Sequence, residues 1–209
     1  MKELLKDKNI DTLYHFTQAN NLLNIFQHGL LPRKDLEEQN IDSYFNDEYR
    51  YDKCKNAICT SIAFPNYKMF YSLRQEDPTI DWAVLKLDTQ ILCDFDCAYC
   101  WTNAGDASIY NTPIEQRMGE NAFLGLFEDR NGYPKRKDLN IPKSYPTNPQ
   151  AEVLVFGNVP VEYIQAVYFQ DTKILHKYKN TIPNDIKCEA NSCVFSYRED
   201  WSHWKNQED

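Results

Sequence analysis

The chain has 209 residues, 42% hydrophobic and 14% aromatic, with a formal net charge of -8; it can bury one substantial core and is short for two. That composition excludes a disordered chain, and the acidic balance excludes a generally basic coat for nucleic acid while leaving room for a local basic groove. No run nears the roughly 20 apolar residues of a membrane span, and the opening MKELLKDKNIDTLYHF lacks a signal-peptide core, so a single cytoplasmic domain over 1–209 with no membrane partner is expected.

In chain order, a short apolar element around Leu13 and Tyr14 comes first, with His15 at its end. The stretch from Thr17 to Gly29 then reads as a helix: Thr17 is the N-cap, Leu22, Ile25 and Phe26 share a face, and Gly29 stops it before Pro32. Residues 33–53 are rich in charge and Asn and read as a long loop with a helical turn, the kind of segment that carries function. Residues 57–64 (AICTSIAF) have strand composition and end at Pro65, and Tyr67 to Arg74 (YKMFYSLR) follow as a helix. Asp81 to Leu87 (DWAVLKL) is apolar on both faces and is expected as a central strand.

Farther on, Glu120 to Glu128 forms the clearest helix of a difficult region, and a Gly-, Pro-, Lys- and Asn-rich stretch follows it. Glu152 to Phe156 reads as a strand, VPVEYI as a turn or short helix, and Ala166 to Gln170 as a further strand. The tail from Arg198, with Trp201, His203 and Trp204, is either a packed helix or a frayed end. Seven cysteines, an odd number, point to reduced thiols. Cys93, Cys97 and Cys100 with Cys188 and Cys193 invite a zinc site, but one CxxC, one Cx4C and no HxxxH match neither a ribbon nor a finger, so no metal is expected.

Two polar residues stand out against this framework. His15 precedes the first long helix, among aromatic neighbours, and Glu152 sits at the mouth of an otherwise apolar strand. Taken singly, one is a core histidine and the other a solvated strand end; as a catalytic residue at a strand mouth, Glu152 is expected to contribute little to folding, so that Glu152→Ala leaves the melt nearly unchanged. No GxxxxGK[ST], GxGxxG or HExxH occurs, so phosphate-loop, Rossmann and zincin chemistry have no anchor.

The ordered set YHFT, NNLLNIFQHGLLPR, a loop arginine, SIAFPNYKMFY, DWAVLKL and NPQAEVLV followed by VPVEYI, over about residues 11–170, resembles the DarT family of NAD-dependent ADP-ribosyltransferase toxins acting on DNA bases. The resemblance implies an α+β fold with an ADP-ribosyltransferase-like split β-sheet core and flanking helices. It implies NAD as substrate, bound by His15, Thr17 and Asn21, with Asn20 as the alternative to Asn21. It implies Glu152 and Arg50 as catalytic residues, with Arg74 as the alternative arginine. Where thymidine-modifying members carry a YVPFYF-type motif this chain has SIAFPNYKMFYSLR, which points toward guanine in single-stranded DNA. Transfer to messenger RNA in phage defence and a non-catalytic binding module are the alternatives. A cognate antitoxin, a macrodomain-type hydrolase or a blocking protein, is the implied partner.

The residue types suit this chemistry. A carboxylate beside the ribose stabilises the cationic sugar that forms as nicotinamide leaves, and it can accept the proton of the attacking base. The Arg50 guanidinium suits phosphate oxygens. Tyr67 and Tyr71, four apart on one helical stripe, are expected to stack on nicotinamide or the target base, with Met69 and Phe70 in the core.

Overall fold

The computed structural model describes residues 1–45 and 54–205. Seven strands form one sheet: β1 (Leu13–Gln18), β2 (Ala57–Ile62), β3 (Trp82–Leu87), β4 (Cys97–Cys100), β5 (Glu152–Phe156), β6 (Ile164–Phe169) and β7 (Lys187–Ala190), in the order β4-β5-β2-β1-β3-β6-β7. All neighbours are antiparallel except β6 and β7. Helices α1 (Lys2–Lys8), α2 (Leu22–His28), α3 (Arg33–Glu38) and α4 (Tyr67–Glu76) lie in the first half, and shorter helical pieces occupy the second.

β3 is central, as its apolar pattern requires. Ala83, Leu85 and Leu87 enter the main core with Leu13, Val153 and Val167. Trp82 and Val84 point to the other face, where Phe70, Tyr168 and Phe195 cover them. Alternation along one strand thus feeds two cores. β5 does the same, placing Val153 and Val155 in the main core and Leu154 in a smaller cluster with Ala98 and Cys100.

Several local expectations change. Thr17 lies inside β1 and caps no helix: the strand runs to Gln18, a 3-10 turn takes Ala19–Asn21, and α2 starts only at Leu22. Pairing with β3 as far as Gln18–Trp82 keeps these residues extended, so sheet hydrogen bonds override a local capping signal. Gly29 does end α2, at φ 83. The expected long loop contains α3, and the helix after Gly119 gives way at Gly125 to a 3-10 turn. The tail forms a short packed helix, Trp201–Trp204, with Trp204 fully buried.

Candidate active site

β1 and β2 are in register only at Leu13–Ile62 and Tyr14–Ser61, whereas β1 stays paired with β3 along its whole length. From His15 onward the sheet therefore forks. At the fork the imidazole takes the place of a ladder bond: His15 Nδ1 lies 2.8 Å from the Cys59 carbonyl oxygen. A carbonyl only accepts, so Nδ1 carries the proton and donates it. A cavity of about 180 Å³ opens where the halves part, bordered by Tyr14, His15 and Phe16 from β1, Ala57 to Ser61 from β2, Arg33, Met69, and Glu152 at the start of β5. A smaller cavity of about 70 Å³ adjoins it through His15, Leu30, Leu31 and Leu36, and takes in Thr17 and Asn21.

Glu152 is buried, so the alternative of a solvated strand end falls away, and with two buried bonds it is tied into the fold more firmly than the expected strand-mouth carboxylate. Its Oε2 accepts from the Ala104 backbone N–H at 2.9 Å and its Oε1 from Asn66 Nδ2 at 3.3 Å. Two donors aimed at two oxygens suit an ionised carboxylate. Asn66, itself 1% exposed, is fixed on every side. Its backbone N–H donates to Ser61 Oγ at 3.1 Å, and its Oδ1 caps α4 by accepting from Met69 N at 3.3 Å. The turn from β2 into α4 thus also orients the acid on β5.

The loop leading into Glu152 is held from two directions. Arg136 donates through Nη1 to Tyr145 O and through Nη2 to Pro142 O and Lys143 O. Arg198 donates to Pro146 O at 2.9 Å and Thr147 O at 3.0 Å. Arg198 is in turn paired with Asp200 at 2.6 Å, both side chains being buried, and Asp200 accepts from Trp204 Nε1 at 2.9 Å.

The remaining sequence-predicted residues are dispersed. Thr17 and Asn21 reach the smaller cavity, but the Asn21 amide is already engaged: Nδ2 donates to Thr17 Oγ1 and Tyr44 O, and Oδ1 accepts from Tyr44 N, each at 2.9 Å. Asn21 therefore positions the segment that brings Phe45 to the main cavity. Asn20 faces elsewhere, accepting from Tyr178 OH at 2.8 Å. Tyr67 is buried edge-on to Tyr197, and Tyr71 lies at the surface with its ring 5.2 Å from that of Tyr197; neither borders the cavity. Met69, expected in the core, is the α4 residue that does. Arg74 holds the Phe195 carbonyl at 2.6 Å and also stays off the cavity. Arg50 lies outside the described residues.

Sequence reasoning missed Arg33, although it belongs to the quoted HGLLPR stretch. It borders the main cavity, its guanidinium 4.4 Å over the Phe45 ring and its Nε donating to Glu37 Oε1 at 2.8 Å. Asn66, with no ionisable group, carried no signal of its own. Among the described residues no group of three or more His, Cys, Asp or Glu could hold a metal ion. No disulfide joins the seven cysteines among the described residues, and burial pushes the thiols of Cys97 and Cys100 up to about 12.

Comparison with known proteins bears on this arrangement. A family model described as "ssDNA thymidine ADP-ribosyltransferase, DarT" matches residues 14–201. Among solved structures, the chain resembles Thermosipho africanus DarTG in complex with ADP-ribose, with a TM-score of 0.62 and 18% identity over 88% of this chain and 50% of that one. It thus spans half the length of the Thermosipho protein. It also resembles Thermus sp. 2.9 DarT in complex with carba-NAD+, at TM-score 0.56 and 13% identity over 88% of this chain and 97% of that one. The same Thermus protein in complex with ADP-ribosylated ssDNA gives 0.54 and 12%, over 88% and 96%. These likenesses show the fold, a split sheet of the ADP-ribosyltransferase type. No curated protein matches the chain.

Proposed function

This chain belongs to the DarT family of ssDNA thymidine ADP-ribosyltransferases, and we propose on that footing that it moves ADP-ribose from NAD onto a base of single-stranded DNA, as one catalytic domain. The observation that carries the reading is the meeting of His15 and Glu152, 137 residues apart in sequence, at one forked cavity. NAD lies across the fork in this reading. The Arg33 guanidinium, over the Phe45 ring, faces the pyrophosphate, and His15, with its proton held on Nδ1 by Cys59, offers Nε2 to a hydroxyl of NAD.

The bond between the ribose C1″ and the nicotinamide nitrogen breaks, and its electron pair leaves with nicotinamide. Glu152 stabilises the cationic sugar. Asn66 and Ala104 keep its oxygens aimed, so little reorganisation accompanies the charge change. We take the acceptor as thymine, the base in the family's description. In DNA that base has a single N–H, on its ring; the nitrogen forms the new bond to C1″ and its proton passes to Glu152. The lean toward guanine drawn from SIAFPNYKMFYSLR finds no support in the family match, and neither do transfer to RNA or a non-catalytic role. A cognate antitoxin, a macrodomain-type hydrolase or a blocking protein, belongs to this reading, supported by the DarTG relative.

The test is to incubate the protein with NAD and single-stranded oligonucleotides that each carry one base type in an otherwise fixed sequence, then to weigh the products. A gain of one ADP-ribose on thymine-bearing DNA, lost in Glu152→Gln, is expected. No gain on any DNA would sink the reading.

A further inference from the structure

The tail presents a set of aromatic rings that the reaction site does not use. Tyr71 on α4, Tyr197 and Trp201 are each exposed, at 39%, 45% and 43%. They form a ladder: the Tyr197 ring lies 5.2 Å from Tyr71 and 5.5 Å from Trp201, tilted by 48° and 31°. Exposed aromatic rings clustered together on a surface call for an occupant.

The ladder is also rigidly mounted. On one side of Tyr197 the Arg74 guanidinium holds the Phe195 carbonyl, and on the other Arg198 is buried against Asp200 and the carbonyls of Pro146 and Thr147. From beneath, the buried Tyr67 ring meets Tyr197 edge-on at 5.8 Å. Rings fixed before binding lose little entropy on contact. Both mounts lead to the reaction site, since α4 is capped by Asn66, which touches Glu152, and the loop gripped by Arg198 runs into Glu152.

We propose that Tyr71, Tyr197 and Trp201 form a stacking platform for nucleobases of single-stranded DNA flanking the modified base. Stacking on aromatic faces holds single strands without regard to sequence and without a broadly basic coat, which fits a chain of net charge -8. Cations lie beside the rings for phosphate to meet: Lys205 Nζ sits 5.9 Å from the Trp201 ring centre, and Arg74 packs on Phe195 two residues before Tyr197, with Glu199 between the two tail rings as the one exposed acid of that stretch. The inference rests on the DNA-transferase reading for its occupant and extends it from the reacting base to its neighbours.

The experiment compares a tetranucleotide with a 20-nucleotide strand carrying the same target, using wild type, Tyr197→Ala, Trp201→Ala, the double variant and Trp201→Phe. Fluorescence anisotropy gives binding, and initial rates give KM and kcat. The double variant should bind the long strand at least tenfold more weakly and raise its KM equally. Its kcat, its KM for NAD and its handling of the tetranucleotide should stay unchanged, and Trp201→Phe should retain most of the wild-type affinity. Tyr197→Ala also removes ring contacts to Tyr67 and Tyr71, so melting temperatures are recorded for every variant, and unchanged kcat and KM for NAD separate lost strand binding from lost folding. Unchanged affinity for the long strand overturns the platform, and if the variants instead lose only inhibition by a co-expressed protein partner, the surface belongs to that partner. A wild type that binds the strand through these rings yet transfers nothing would count against the reaction and leave the platform standing.

Discussion

Replacing Glu152 removes a charge and also strands two donors. With Asn66 Nδ2 and the Ala104 N–H left unpaired in a buried site, Glu152→Ala should lose transfer and also about 1–3 kcal/mol of stability, seen as a lower denaturant midpoint. A midpoint equal to wild type would mean that these bonds do not hold the acid. For Arg33→Ala, the KM for NAD should rise about tenfold or more with kcat nearly unchanged, the pattern of a lost ground-state contact; a drop in kcat alone would remove Arg33 from the pyrophosphate. Glu152 was legible as a candidate because a lone carboxylate opens an apolar run. Its burial was not, because its partners arrive from 48 and 86 residues away.

Between β1 and β2 the fork depends on how α2 ends and returns. Gly29 has φ 83, and a Cβ there would sit 2.6 Å from the Val159 carbonyl oxygen. Gly29→Ala should therefore cost about 2 kcal/mol or more and shift Leu30 and Leu31, which border both cavities. Thermal melts and the KM for NAD would register the two effects, and an unchanged melt would show that this approach is slack. The longer strands and α4 were visible in the sequence as apolar runs bounded by Pro, Gly and Asn. β4 and β7 were not, each being four residues long with cysteines where β-branched residues signal a strand. The stripe of Tyr67 and Tyr71 was legible as a stripe. Its direction was not, because the distant tail residue Tyr197 sets which way it faces.

At the scale of the molecule, burial of thiols and phenols sets an alkaline limit. Cys97, Cys100 and Tyr14 are each pushed up to about 12, by burial foremost, from ordinary values of 9.0 for the thiols and 10.0 for the phenol. Between those pH values the folded chain keeps protons that the unfolded chain has released, so stability falls as pH rises. Melting temperature should be flat from neutrality to about pH 9 and decline above it; a plateau extending to pH 11 would contradict the burial of these groups. The split sheet as a whole was legible only through the ordered motifs, because no local pattern records that two neighbouring strands part after Tyr14. The clamp of Arg136 and Arg198 on the loop before Glu152 has a consequence in time as well as in space. The acid at position 152 is made 46 residues before Arg198, so on a growing chain its loop stays ungripped until that arginine has been added and has docked against the carbonyls of Pro146 and Thr147.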